Sequence, residues 1–129
     1  MLKAGILNPA INSLLSRVRH TNTLVIADRG FPYWPTIETI DISLVDDIPQ
    51  VIDVLIAIKA NFAIGRVFAA QEFLDLNTPS TCGTLTRLLA GIPIEYESHN
   101  ALKKRVPSAI GLIRTGDTTQ YSNLILESA

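Results

Sequence analysis

The chain has 129 residues, 47% of them hydrophobic and only 18% charged, with a formal net charge of −1. That length fits a single domain over residues 1–129, and the charge balance gives no electrostatic reason to expect nucleic acid or an anionic membrane as a partner. One cysteine, Cys82, excludes an internal disulfide or a zinc cluster, and a mean hydropathy of +0.28 suits either apolar surface for subunit contacts or a tightly packed monomer.

The N-terminal region parses into clear elements. Asn8 is a candidate N-cap and Pro9 suits the first helical position, where its missing N–H costs nothing. Ile11, Leu14, Leu15 and Val18 recur at helical spacing and define one buried stripe. Arg17, Arg19 and His20 then fall where positive side chains oppose the negative end of a helix dipole, which predicts a helix ending at about His20. Thr23 to Ala27 (TLVIA) is a β-rich apolar run that reads as a strand buried on both faces. Asp28 ends it, followed by Arg29-Gly30-Phe31-Pro32. Open α/β sheets bind ligands outside the carboxyl ends of their strands, so this acid has a geometric reason to face a pocket, although a strand-ending Asp also commonly caps a loop.

Thr39 to Ser43 alternates as a short strand. Asp46 and Asp47 precede a helix from Gln50 to Ala60 whose inner face is Val51, Leu55 and Ile58. Ala63 to Ala70 reads as another buried strand, and Pro79 to Ala90 as a helix. Ile94 to Glu97 alternates again, and Ser98 suits the cap of a short helix from His99 to about Val106. Within that helix Lys103-Lys104-Arg105 reads as a solvated face. Strands at Ala109 to Arg114 and Asn123 to Leu126 complete the chain. Strands and helices alternate without repeats, which predicts an α/β three-layer sandwich with a mostly parallel central sheet.

Several chemistries lack their residue patterns. There is no glycine-rich phosphate loop, no G-x-G-x-x-G, no G-x-S-x-G and no clustered set of metal ligands. Cys82, among Ser80, Thr81 and Gly83, has no histidine near it in sequence and reads as structural. No segment has the length of a membrane span and no continuous apolar leader opens the chain, so the expectation is a cytoplasmic protein. Among the remaining polar residues, His20 and Asp28 bracket one strand, an imidazole that titrates near neutral pH and a carboxylate that accepts hydroxyl hydrogen bonds.

The segment His20-Thr21-Asn22-Thr23-Leu24-Val25-Ile26-Ala27-Asp28-Arg29-Gly30-Phe31-Pro32 resembles the H-T-D-x-L-V-x-x-D-x-G-x-P signature of D-ribose pyranases. Ile113-Arg114-Thr115-Gly116-Asp117 with Tyr121-Ser122-Asn123-Leu124-Ile125-Leu126 is similar to the I-R-[ST]-G-E-x-x-x-Y-x-N-x-I-L ending of that family. Ile40-Asp41 with Leu44, and Tyr96-Glu97-Ser98-His99, match further positions between them. The resemblance covers nearly the whole chain and reaches the ribose pyranase and fucose mutarotase superfamily.

This resemblance implies a ribose-pyranase-like fold and a pyranose–furanose isomerase of D-ribose with His20 as general acid. It implies that Asp28 and His99 bind sugar hydroxyls and that Tyr121 and Asn123 complete the site, with no metal and no organic cofactor. It further implies a homo-oligomer, a ring-like pentamer or paired pentamers forming a decamer, with the monosaccharide pocket near a subunit boundary. A mutarotase for fucose or another sugar, and a non-catalytic sugar-binding or transport-accessory protein, are the alternatives. Arg29 stands where the family has a small residue, and Tyr33-Trp34 makes a bulkier loop. Trp34 suits either a sugar face or an oligomer contact.

Overall fold

Successive residues of the strand Thr23–Ala27 (β1) point to opposite faces, and a computed structural model describing residues 1–129 packs both. Leu24 and Ile26 enter one core, whereas Val25 and Ala27 enter another on the far side of the sheet. The same division runs through Ile64–Ala70 (β3), Gly111–Arg114 (β5) and Leu124–Ser128 (β6). Val67, Ile113, Leu124 and Leu126 face the first core; Phe68, Leu112 and Ile125 face the second. Glu38–Asp41 (β2) and Ile94–Glu97 (β4) are the edge strands of a six-stranded sheet in the order β2-β5-β1-β6-β3-β4. All run in one direction except β6, which pairs antiparallel with both β1 and β3.

The helices Pro9–Arg17 (α1), Val51–Lys59 (α2), Gln71–Leu76 (α3) and Pro79–Leu88 (α4) cover the first face. They contribute Leu14, Leu55, Ile58, Phe73 and Leu85 to a core of 17 buried residues. His99–Arg105 (α5) and the short 3-10 turn Val106–Ser108 cover the second with Leu102 and Val106. The predicted three-layer α/β sandwich is therefore the architecture found. Fully burying each such aliphatic side chain stabilises the fold by about 1.5–3 kcal/mol, which explains why apolar runs dominate the strands.

Two differences from the expected elements bear on the site. The first helix stops at Arg17, a turn short of His20, because Val18 leaves the helical region and is buried. The chain then closes a tight turn in which Asn22 accepts the Arg19 N–H through its side chain and donates its own N–H to the Arg19 carbonyl (both 2.9 Å). His20 lies exposed on that turn, not on a helix. The second difference is α3, an additional helix that follows β3 with no intervening loop. Its N-cap is Ala70, with no side-chain cap bond to mark the start.

Candidate active site

The direction of β6 assembles the site. Asp28 follows the carboxyl end of β1, and His99 follows β4, which runs the same way. Because β6 is antiparallel to its neighbours, the residues just before it, Tyr121 to Asn123, arrive at this same edge. Asp28, Gly30, Phe31, Pro32, His99, Gln120, Tyr121 and Asn123 line an open cavity of about 350 Å³. Four of the five residues expected to form the site thus meet there.

Asp28 is held by a closed set of donors. Asn123, buried to 2% exposure, accepts the Asp28 backbone N–H through Oδ1 (2.8 Å) and donates from Nδ2 to the carboxylate Oδ2 (3.1 Å). The Gly30 N–H donates to Oδ1 (3.0 Å). Burial pushes the Asp28 carboxyl above its ordinary value, and Asp117 adds to that push; hydrogen bonds from Asn123, Gly30 and Phe31 oppose it. The loop that follows is clamped by Arg114, whose guanidinium donates to the carbonyls of Asp28, Arg29 and Pro32 (3.1–3.3 Å). Beneath it, a Cβ at Gly116 would fall 2.2 Å from the Val45 carbonyl oxygen, so only glycine fits there.

The His99 ring stands between two aromatic edges. Tyr121 packs edge-on at 5.0 Å between ring centroids and Phe31 at 5.9 Å. Its Nδ1 is buried with no partner in the protein. Burial lowers the imidazole's affinity for a proton and Lys103 acts in the same direction; Glu72 and Asp28 act against them. Tyr121 itself sits at φ +55°, a left-handed conformation that costs a non-glycine residue about 1 kcal/mol or more and is tolerated chiefly where function needs it.

His20 is outside this cavity. Its turn is tied to the other end of β6 by the Thr21 N–H donating to the Ser128 carbonyl (3.1 Å). The five residues of β1 alone separate the two ends by about 16 Å at the usual rise of a strand. Within one chain the imidazole of His20 and the carboxylate of Asp28 therefore do not pair.

The remaining expectations are answered by local contacts. Lys103-Lys104-Arg105 lies at the surface, with Lys104 and Arg105 exposed: Arg105 makes a two-pronged ion pair with Glu97 (2.5 and 3.0 Å), and the two lysines border an open groove with Pro32, Tyr33, Trp34 and Asn100. The Cys82 sulfur lies against the backbone carbonyls of Phe73, Leu74 and Asn77. No three His, Cys, Asp or Glu side chains are grouped to hold a metal ion, and no helix is long and apolar enough to cross a membrane.

A second hollow, more enclosed and of about 190 Å³, lies against α2 and α4 and includes Gln50, Thr81, Asp117 and Ser122. Its one carboxylate is already engaged, accepting the N–H of Val51 at the start of α2 (2.9 Å) and that of Thr119 (2.8 Å). No imidazole reaches it. The Asp28 cavity brings together a carboxylate, an imidazole, a phenol and an amide, groups that suit a hydroxyl-rich ligand.

Residues 1–129 match the RbsD / FucU transport protein family. The chain is 38% identical over 128 residues to a D-ribose pyranase of Geobacillus kaustophilus, an alignment covering 99% of this chain and 93% of that protein. It is 38% identical to a D-ribose pyranase of Streptococcus agalactiae, again over 99% of this chain and 97% of the other. Among solved structures, Bacillus subtilis RbsD complexed with D-ribose superposes with a TM-score of 0.92 at 34% identity, covering 100% of this chain and 98% of that one. A fucose mutarotase from Streptococcus pneumoniae in complex with L-fucose shares the fold, with a TM-score of 0.83 at 20% identity and 99% and 98% coverage.

Proposed function

This chain belongs to the RbsD / FucU transport protein family, and on that footing we propose that it is a pyranase-type isomerase interconverting the pyranose and furanose forms of D-ribose. The observation that carries the reading is the convergence of Asp28, Asn123, His99 and Tyr121 from three separate parts of the chain onto one cavity. Ribose is favoured over fucose because the ribose-named relatives are 34–38% identical over nearly the full chain.

The reaction needs little beyond proton movement. A proton leaves the anomeric hydroxyl while another reaches the ring oxygen, the ring opens to the free aldehyde, and a different hydroxyl closes on it. General acid–base help of about 10²–10⁴-fold is enough for a useful catalyst of a reaction that already proceeds unaided. Asp28, fixed by Asn123 and Gly30, accepts hydrogen bonds from sugar hydroxyls. The partly exposed His99 ring borders the cavity, and burial lowers its proton affinity, which favours the neutral imidazole that can both donate and accept a hydroxyl hydrogen bond. Tyr121 and Asn123 complete the lining.

His20 is the general acid in this reading, and its position means that it acts in the pocket of a neighbouring copy. Its exposure on the opposite edge of the sheet supports that arrangement, as do the exposed apolar side chains of Leu44, Val45 and Ile48. A pentameric or decameric ring and a cytoplasmic location belong to the same proposal.

The test uses saturation-transfer NMR of ribose exchange. His20→Ala abolishes acceleration and leaves ribose binding, and Asp28→Asn weakens binding. Co-expressing the two variants in one oligomer restores exchange, because some sites then combine an intact His20 with an intact Asp28 from different copies. Undiminished exchange in His20→Ala rejects its catalytic role, and co-assembled variants that stay inactive reject its action across the subunit boundary. Saturable ribose binding with no acceleration by the wild-type protein would establish the binding-only alternative instead.

A further inference from the structure

We propose that Glu72, a residue outside the sugar cavity, is a positioning residue that seats His99 by gripping the first N–H of α5 through its carboxylate. The inference rests on the assignment of His99 to the sugar site.

Glu72 lies in the opening turn of α3, directly after β3, and its two carboxylate oxygens both accept the His99 backbone N–H, at 2.8 and 3.1 Å. The residues are 27 positions apart, so this is a tertiary contact between two neighbouring strand–helix corners. Ser98 supplies the local cap of α5, its hydroxyl accepting the Ala101 N–H (3.1 Å). That cap serves a different donor and does nothing for the N–H of His99. The first helical residue, which carries the imidazole, is therefore anchored from outside its own helix. Charge-assisted hydrogen bonds of this kind are shorter and stronger than neutral ones.

The ring itself is held by packing. Phe31 and Tyr121 meet it edge-on, and Nδ1 has no protein partner. Packing of that kind limits the tilt of the ring but does not set the height of the His99 backbone above the cavity. The Glu72 anchor sets that height by tying the start of α5 to the β3–α3 corner. A sugar hydroxyl bonding to the His99 ring requires placement within a few tenths of an ångström, so loosening the anchor acts on affinity before it acts on folding.

Glu72 also changes the electrostatics. The charged groups that act on His99 are Glu72 from α3, Lys103 one turn further along α5 and Asp28 from the end of β1. Glu72 and Asp28 favour the protonated ring and Lys103 opposes it. The two contributions of Glu72 can be separated, since glutamine keeps an oxygen that accepts the N–H and removes the charge.

The first experiment uses no sugar. In the wild-type protein the His99 amide proton is followed by NMR through the carboxylate titration range, with His20→Gln used to assign the imidazole signals. The expected result is an amide shift that follows the protonation of Glu72; a flat amide overturns the proposal. The second measures ribose affinity. Glu72→Ala should weaken it about tenfold, and Glu72→Gln should stay within about threefold of wild type while lowering the His99 imidazole titration further. Wild-type affinity in Glu72→Ala, or equal losses in both variants, overturns the positioning role. If Glu72→Ala does not fold, the amide titration and Glu72→Gln still decide. A wild-type protein without ribose exchange would reject the pyranase reading, whereas the amide titration, which needs no sugar, would still decide whether Glu72 holds His99.

Discussion

Asn123→Ala isolates the device that holds the site together. The substitution removes the acceptor of the Asp28 N–H and the donor to its carboxylate, at a position only 2% exposed. An abandoned N–H costs about 1–3 kcal/mol and a lost hydrogen bond to a charged group about 1.5–3 kcal/mol; the partly exposed carboxylate recovers part of the second from water. The expected loss of stability at neutral pH is about 2–3 kcal/mol. The loss should also depend on pH. Asn123 is the largest of the influences that pull the Asp28 carboxyl down, so its removal raises a folded-state value that already lies above that of the unfolded chain. A carboxyl with a raised folded value favours folding when protonated, and that contribution disappears as the pH rises through the folded value. The penalty of Asn123→Ala is therefore full at neutral pH and shrinks in acid, as the solution approaches the unfolded Asp value of about 3.9. Urea unfolding of wild type and variant at neutral pH and at about pH 4, with protomer concentration held constant, gives both quantities. A penalty below about 0.5 kcal/mol, or one equal at the two pH values, refutes the view that Asn123 acts on Asp28 as an ion.

Two further outcomes follow from the same geometry. Gly116→Ala drives a Cβ against the backbone oxygen of Val45, with no flexible side chain to yield, and should destabilise by about 2–3 kcal/mol or more in thermal unfolding. A variant as stable as wild type would show that the loop containing Val45 moves freely. Ribose affinity should be flat around neutral pH and fall in acid, because His99 gains a proton below its lowered value and Asp28 gains one from its raised value downward. Calorimetric titration across pH checks this, and affinity rising in acid would contradict a site that binds through a neutral imidazole and an ionised carboxylate.

The residues before Asp28 show how much of the fold can be read directly. Asn8 and Pro9 announce α1, and Asn8 Oδ1 does accept the Ile11 N–H (3.0 Å). The run TLVIA announces a strand buried on both faces, because a β-strand with no polar face has nowhere to be but between two layers. Ile94–Glu97 and the Ser98 cap are equally legible. The start of α3 is not, since Ala70 offers no capping side chain and six residues are too few to show a helical period. Glu72 carries no signal in the sequence for that reason.

What no local pattern can supply is direction. The apolar run from Leu124 reads the same whether its strand is parallel or antiparallel to β1, and only the assembled sheet decides that β6 runs backward. That reversal brings Tyr121 and Asn123 beside Asp28, and it carries the chain's far end down to the turn that holds His20. Local capping and hydrophobic alternation act within a few residues and so can be read from the order of amino acids. Strand order and direction are settled by burial summed over the whole sheet, and so is the set of side chains that share a cavity.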